Sequence, residues 1–374
     1  VIGILSTFPP TVCGLATFSA ALIEGLCANG ADVGVVRVSD GSPGRESPNP
    51  RARVIGELVN GSPVSVAATS ELLNQGDIAV IQHEYGIYGG TDGDEVAEII
   101  GGLRVPSIVI AHTVLKNPSQ HQRAVLEAIA AAADQVVVMS GAANERLCSG
   151  YAVDPAKVTT IPHGVTVPRD GPGDRSGRPT LLTWGLLGPG KGVERVIDAM
   201  VALRDLPGRP RYLVAGQTHP KVLAVHGEAY RCARVEQARR SGVADSVVFD
   251  SGYQSTAALH ARARSAAVVV LPYDSTDQVT SGVLVDAIAC GRPVVATAFP
   301  HAVELLAGGA GIVVDHHDPE EMVSALRRIL TDPRLAGSMA DEARRLAPTM
   351  AWSVVGAAYL RLAHRLIARP SALV

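Results

Sequence analysis

Lysine is almost missing from this chain. Lys116, Lys157, Lys191 and Lys221 are the only four in 374 residues, and arginine supplies nearly all the positive charge. The formal charge is −3 and the pI is about 6.4. No basic surplus points to nucleic acid, and there is no acidic tail. Cysteines in metal or disulfide spacing are lacking too. Cys13, Cys27, Cys148, Cys232 and Cys290 are odd in number and scattered, with no C-x-x-C pair. Neither a zinc site nor a disulfide framework is expected, and a reducing cytoplasm fits. No uncharged apolar run approaches about 18 residues, so no membrane span is expected. The opening Val1-Ile2-Gly3-Ile4-Leu5 reads as a strand and not as a basic-led signal peptide. The glycine fingerprint G-x-G-x-x-G follows the first strand of neither half, which weakens a dehydrogenase reading.

What is present is length and a strong alternating pattern. A chain of 374 residues, 47% hydrophobic, exceeds one ordinary core and suits two domains. In the first half, β-branched runs at Val33–Val38, Ile78–Gln82, Ser107–Ala111, Gln135–Met139 and Val158–Ile161 alternate with helical stretches at Thr17–Ala28, Ser65–Asn74, Gly93–Gly102, Gln120–Ala132 and Ala142–Ser149. Such alternation predicts a parallel sheet with right-handed crossovers. Residues 168–179, rich in Gly, Pro and charge, read as a linker. The pattern then restarts. Strands are expected at Thr180–Thr183, Tyr212–Ala215, Ser246–Phe249, Ala267–Leu271, Val294–Thr297 and Gly311–Val314. One long helix is expected over Val222–Ser241, and a last one over Trp352–Ala368. Two doubly wound α/β domains in tandem place a ligand in the cleft between them, at the carboxyl ends of the strands.

Two stretches carry chemistry. Thr183-Trp184-Gly185-Leu186-Leu187-Gly188-Pro189-Gly190-Lys191-Gly192-Val193 joins an apolar strand to a helix. About ninety residues later come Leu271-Pro272-Tyr273 and then Gln278-Val279-Thr280-Ser281-Gly282-Val283-Leu284, which feed another helix. Small residues let backbone N–H groups at a helix start approach an anion, and a lysine neutralises it. Together these are two halves of a phosphate cradle and point to a nucleoside diphosphate. The plainer readings are a solvated turn for Lys191 and an ordinary N-cap for Ser281. Scarcity of lysine makes one inside a glycine loop informative.

Other candidates sit at strand ends. The turn Phe8–Ala16 contains Cys13 and Gly14, and Gly14 is suited to close backbone approach. His112 ends the strand Ser107–Ala111, at the edge where ligands bind. His83, Glu84 and Tyr85 follow Ile78–Gln82 and suit recognition of sugar hydroxyls, so they are assigned, with Cys13, to the acceptor. Asp92-x-Asp94 has the form of a metal motif, but it precedes a helix and is read as a cap, so no metal is expected. His163-Gly164 closes the first half. His316-His317 reads as a surface turn. Arg361, His364, Arg365 and Arg369 give the last helix a basic face.

With these residues in hand, the chain resembles the GT-B-fold glycosyltransferases of family 4, a retaining, nucleotide-sugar-dependent group. The likeness rests on Phe8–Ala16, Ile108–Thr113, Val136–Ser140, Thr160–Val165, Gly185–Val193 and Leu271–Thr297, in that order. It implies an acceptor domain over residues 1–170, a donor domain over 171–350, and a C-terminal helix over 351–374 that packs back on the first domain. By resemblance, Gly14, Gly185, Lys191, Thr280, Ser281, Gly282, Val283 and Asp286 bind the donor, with Asp286 on the ribose. His112, Lys191 and Gln278 are the catalytic candidates, with His112 against the donor sugar.

Two departures stand out. Leu186 occupies a place where the family often has arginine. The family's paired glutamates appear as Gln278 and Asp286, with Asp277 adjacent. The expected reaction is transfer of a hexose, mannose or glucose, from a nucleoside-diphosphate sugar to a hydroxyl of a sugar, oligosaccharide or glycolipid. No cofactor, metal or nucleic acid is expected. The expected location is the cytoplasm, including peripheral contact with the inner face of the membrane. A sugar-nucleotide epimerase or hydrolase, or a non-catalytic sugar-nucleotide-binding subunit, are the alternatives.

Overall fold

The computed structural model describes residues 1–11, 13–42, 49–168, 173, 177–252 and 255–368. Val12, part of the linker and Arg369 therefore lie outside the described residues. The chain divides into two compact units, Val1–Gly164 with Thr349–Val374, and Val165–Pro348.

In the first unit the elements run β1 (Ile2–Ser6), α1 (Gly14–Ala28), β2 (Val33–Val38), β3 (Ala52–Leu58), α2 (Pro63–Leu73), β4 (Ile78–His83), α3 (Glu95–Gly101), β5 (Ser107–Ala111), α4 (Gln120–Ala132), β6 (Gln135–Val138), α5 (Gly141–Gly150) and β7 (Val158–Thr160). All pairings are parallel, in the order β3-β2-β1-β4-β5-β6-β7. Strand order reverses at β1 and β4, so the loops after these two strands form the natural ligand crevice. The sequence pattern did not predict β3. It is an edge strand whose exposed positions alternate with covered ones, so it offers no continuous apolar run. Its Glu57 binds Arg37 at 2.8 Å, which explains how β2 buries an arginine completely.

The second unit repeats the plan. It contains β8 (Thr180–Trp184), α6 (Val193–Leu203), β9 (Arg211–Ala215), α7 (Pro220–His226), α8 (Ala229–Arg240), β10 (Val247–Asp250), α9 (Thr256–Ser265), β11 (Val268–Leu271), α10 (Gly282–Ala289), β12 (Val294–Thr297), α11 (Pro300–Leu306), β13 (Gly311–Val314), α12 (Pro319–Thr331) and α13 (Pro333–Leu346). The sheet is parallel, in the order β10-β9-β8-β11-β12-β13, with its reversal at β8 and β11. The single helix expected over Val222–Ser241 is two. Gly227, at φ 57° and ψ −140°, breaks it where a side chain would be strained.

The last helix, α14 (Trp352–Ile367), belongs to the first unit. Its Val355, Tyr359, Leu362 and Leu366 join the α1 residues Phe18, Leu22, Ile23 and Leu26 in one core. A side chain on Gly25 would overlap the carbonyl of Trp352, and one on Gly356 would meet the backbone of Gly25. The α1–α14 contact is therefore backbone to backbone. No helix among the described residues is long and apolar enough to cross a membrane.

Candidate functional site

In the second unit the loop from β8 to α6 is held open by its backbone. Gly192 sits at φ 64°, and a side chain there would overlap the carbonyl oxygen of Pro272. The loop therefore docks directly on the turn after β11. Lys191 projects from it with Nζ 4.4 Å from the centre of the Tyr273 ring. A ring face attracts a cation without neutralising it, so the ammonium keeps its charge for a ligand. Tyr273 stacks on Phe299 at 5.4 Å, and its buried hydroxyl has no partner among the described residues. A Cβ at Gly185 would lie 3.7 Å from Lys191 Nζ and 4.0 Å from Val283 Cγ2. Gly185, Lys191 and the start of α10 thus converge, as the two motifs imply.

The turn before α10 is built by hydrogen bonds. Ser281 Oγ accepts from the Leu284 N–H at 3.3 Å and caps the helix. The Ser281 N–H itself donates to His301 Nδ1 at 2.8 Å, and the His301 N–H donates to the Gln278 carbonyl at 3.2 Å. Ser281 is therefore committed to the turn, leaving the first helical amides, Gly282 and Val283, at the open end of the helix. Gln278 donates from Nε2 to the Thr280 carbonyl at 3.0 Å. His301 is a buttress that no sequence signal identified. Asp286, one turn further along α10, keeps Oδ1 3.5 Å from Nε2 of the buried His260 on α9. Burial and the Asp286 charge push the Cys290 thiol up to about 12, so it stays protonated and inert.

In the first unit the candidate groups are largely turned on one another. His112 Nε2 lies 2.5 Å from Gln82 Oε1. A carboxamide oxygen only accepts, so Nε2 carries the proton and Nδ1 is left as an acceptor. Phe18 packs edge-on to His112 at 4.7 Å and to His163 and Trp352 at 5.0 Å. Burial first, then the neighbouring His163 and His83, holds the His112 pKa down to about 3. His83 is fully buried, with no hydrogen-bond partner for either ring nitrogen among the described residues. Its ring packs edge-on against Tyr85 at 5.1 Å. Burial lowers its pKa to about 4. Glu84 accepts from Thr113 Oγ1. The half-buried Tyr85 reaches the Gln122 carbonyl at 3.3 Å.

Several placements differ from expectation. Helix α1 begins at Gly14, not Thr17, and Cys13 is its N-cap, with Sγ accepting from the Ala16 N–H at 3.3 Å. Gly14 therefore has ordinary helical geometry, and a methyl group added there would meet nothing within 4 Å. Asp94 makes no side-chain cap bond to α3. Asp92 and Asp94 instead approach His121 of α4 at 3.1 and 3.5 Å, which tethers α4 and replaces the expected cap. His316 is buried, with Nε2 3.1 Å from the Ser275 carbonyl, and only His317 lies on the surface.

Both units match known protein families. The family model described as "Glycosyltransferase Family 4" matches residues 12–169, and the model "Glycosyl transferases group 1" matches residues 178–332. The D-inositol 3-phosphate glycosyltransferase of Actinosynnema mirum is 32% identical over 281 residues, covering 66% of this chain and 64% of its own. That of Rhodococcus opacus is 28% identical, covering 66% and 59%. The chain thus spans less than two thirds of these relatives. Among solved structures, the sucrose-phosphate synthase of Thermosynechococcus elongatus has a TM-score of 0.77 at 18% identity, covering 98% of this chain and 99% of that one. Anabaena HepE in complex with UDP has a TM-score of 0.78 at 17% identity, covering 98% and 100%. At such identities the likeness shows the fold alone.

Proposed function

Because the chain belongs to the family 4 glycosyltransferases of the GT-B fold, we propose that it transfers a hexosyl group from a nucleoside-diphosphate sugar to a hydroxyl acceptor with retention of configuration. Mannose and glucose are the proposed sugars. The observation that carries the reading is the unneutralised Lys191 ammonium beside the open end of α10. A cation and oriented amides bind a diphosphate and also stabilise it as it departs. Asp286 is placed one helical turn on, where it is proposed to take the ribose hydroxyls. The acceptor form of His112 Nδ1 suits a neutral sugar hydroxyl. Curated relatives are named for an inositol phosphate acceptor, which supports a polyol or sugar hydroxyl as acceptor here.

Gln278 is neutral and tied to its own turn, so it supplies no nucleophile. The mechanism proposed is a same-face displacement. The bond from the anomeric carbon to the diphosphate oxygen breaks, and the acceptor oxygen bonds from the same side. The leaving phosphate oxygen takes the acceptor proton. Neither metal nor cofactor is needed in this scheme, since Lys191 and the amides carry the leaving charge.

The test is a thermal-shift panel of GDP, UDP, ADP and their mannose, glucose and N-acetylglucosamine conjugates, on wild type and Lys191→Ala. A ligand at ~100 times its dissociation constant adds ~2.7 kcal/mol to stability. One nucleotide should shift wild type and fail with Lys191→Ala. Turnover of its sugar conjugate should then require an acceptor and give the retained anomer. No shift with any nucleotide would sink the donor site, and turnover without acceptor would favour a hydrolase.

A further inference from the structure

A diphosphate brings roughly two negative charges, and Lys191 answers one of them. The exposed Leu186 on the same loop offers nothing more. The loop does, however, form one wall of a cavity of about 330 Å³ inside the second unit. Lys191, Lys221, His219, Tyr273, Ser275 and Gln278 all line it. Two of the four lysines in the chain thus share one cavity, with no carboxylate on its wall. Neither lysine forms an ion pair among the described residues. Lys157, by contrast, commits its ammonium to the last carbonyls of α4, Ala131 at 2.7 Å and Ala133 at 2.9 Å. Two carboxylates adjoin the lining residues in sequence: Asp274 is held by Arg195 at 2.7 Å, and Asp277 accepts from Thr276 Oγ1 at 3.3 Å.

The two lysine-bearing loops are locked in register. The Leu187 N–H donates to the Gln217 carbonyl at 2.8 Å, and the His219 N–H donates back to the Leu187 carbonyl at 2.8 Å. His219 Nδ1 accepts from the Lys221 N–H at 3.2 Å. That bond fixes the neutral ring with its proton on Nε2, so the ring is a hydrogen-bond donor on a cavity wall.

We infer that Lys221, assisted by His219, is the second arm of the diphosphate clamp and makes this cavity select nucleoside diphosphates over monophosphates. The inference rests on the donor-site reading above. It assigns the missing positive charge to the loop after β9 instead of the glycine loop. Lys221 is exposed at the edge of the cavity, so it closes on the phosphate as a flexible arm while Lys191 is pre-positioned over Tyr273.

The experiment is calorimetric titration of the full chain with UDP, GDP, ADP and the three matching monophosphates. Wild type should prefer one diphosphate over its monophosphate. Lys221→Met and Lys221→Gln should weaken that diphosphate by about tenfold or more, the size of one charge-assisted contact. Monophosphate affinity should stay unchanged, and Lys221→Arg should restore most of the loss. Wild-type diphosphate affinity in both neutral variants would overturn the inference, as would equal loss for mono- and diphosphate. If Lys191→Met abolishes binding while both Lys221 variants bind normally, the donor site stands and only the second arm falls. If wild type takes none of the six nucleotides, the donor-site reading falls with it.

Discussion

The same motif, a strand followed by a glycine-bearing turn and a helix, opens both units and is used in opposite ways. After β8 the backbone is held open by left-handed glycines. Gly192 lies at φ 64° against the Pro272 carbonyl, and an unneutralised lysine projects from the loop. After β1 the turn relaxes into an ordinary capped helix, with Gly14 in open space and Cys13 closing the cap. The polar groups nearby differ in the same sense. In the second unit Lys191 and Lys221 remain available. In the first, His112 pairs with Gln82, Glu84 with Thr113, and His83 is sealed in the core. A charged loop of this kind suits a fixed anionic group, because its uncompensated charge is offset by that ligand. A strand edge that presents hydrogen-bonding groups such as Glu84, Tyr85 and His112 Nδ1 suits hydroxyl-bearing ligands that vary.

The sharpest way to break this contrast is Gly192→Ala. The new methyl must displace the Pro272 carbonyl, and alanine must hold a left-handed conformation. Overpacking and backbone strain together should cost about 3 kcal/mol or more. Chemical denaturation should show that loss, and diphosphate binding should disappear in whatever remains folded. A near-neutral effect would mean that the loop is not docked on the β11 turn.

Acid should act on the first unit next. His83 and His112 are held neutral, with pKa values near 4 and 3, against about 6.5 in the unfolded chain. Below pH 6.5 the unfolded chain takes up protons that the native state refuses. Stability is therefore full above that pH and falls as pH drops toward 4, by about 1.4 kcal/mol per pH unit for each histidine. His83→Leu removes one such proton and an unpaired buried ring. Urea unfolding at pH 7 and pH 5 should show a shallower acid loss than wild type. An unchanged slope would mean that His83 meets water in solution.

The two parallel sheets and the convergence of the glycine loop with the start of α10 were legible because both rest on local signals. Apolar runs bounded by turns mark buried strands, and glycines around a lone lysine mark a tight left-handed loop. What escaped depends on tertiary contact. Strand β3 is an edge whose alternation is diluted by Arg53 and Glu57. His301 reaches the Ser281 turn from twenty residues away. Asp92 and Asp94 have the chemistry of caps, but His121 of α4 competes for them. Lys221 was visible as one of four lysines, yet only the Leu187–Gln217 and Leu187–His219 bonds place it beside Lys191. The second unit was the more readable for this reason. Its residues act through backbone geometry encoded nearby, whereas those of the other half act through neighbours on distant strands.

The smallest effect is also the most discriminating. Gly14 is the first residue of α1, with no atom within 4 Å of an added methyl group. Nothing in the fold requires glycine there, and Gly14→Ala should leave stability unchanged or raise it by up to about 1 kcal/mol by restricting the unfolded chain. If the glycine serves only as a loop residue, turnover will be untouched as well. If the turn after β1 approaches a ligand through its backbone, the methyl will lower turnover while the melting temperature holds. No such separation of activity from stability exists at Gly192, where the fold itself demands glycine. Melting and initial-rate measurements on Gly14→Ala would therefore decide whether the relaxed turn of the first unit is a binding element or simply the start of a helix.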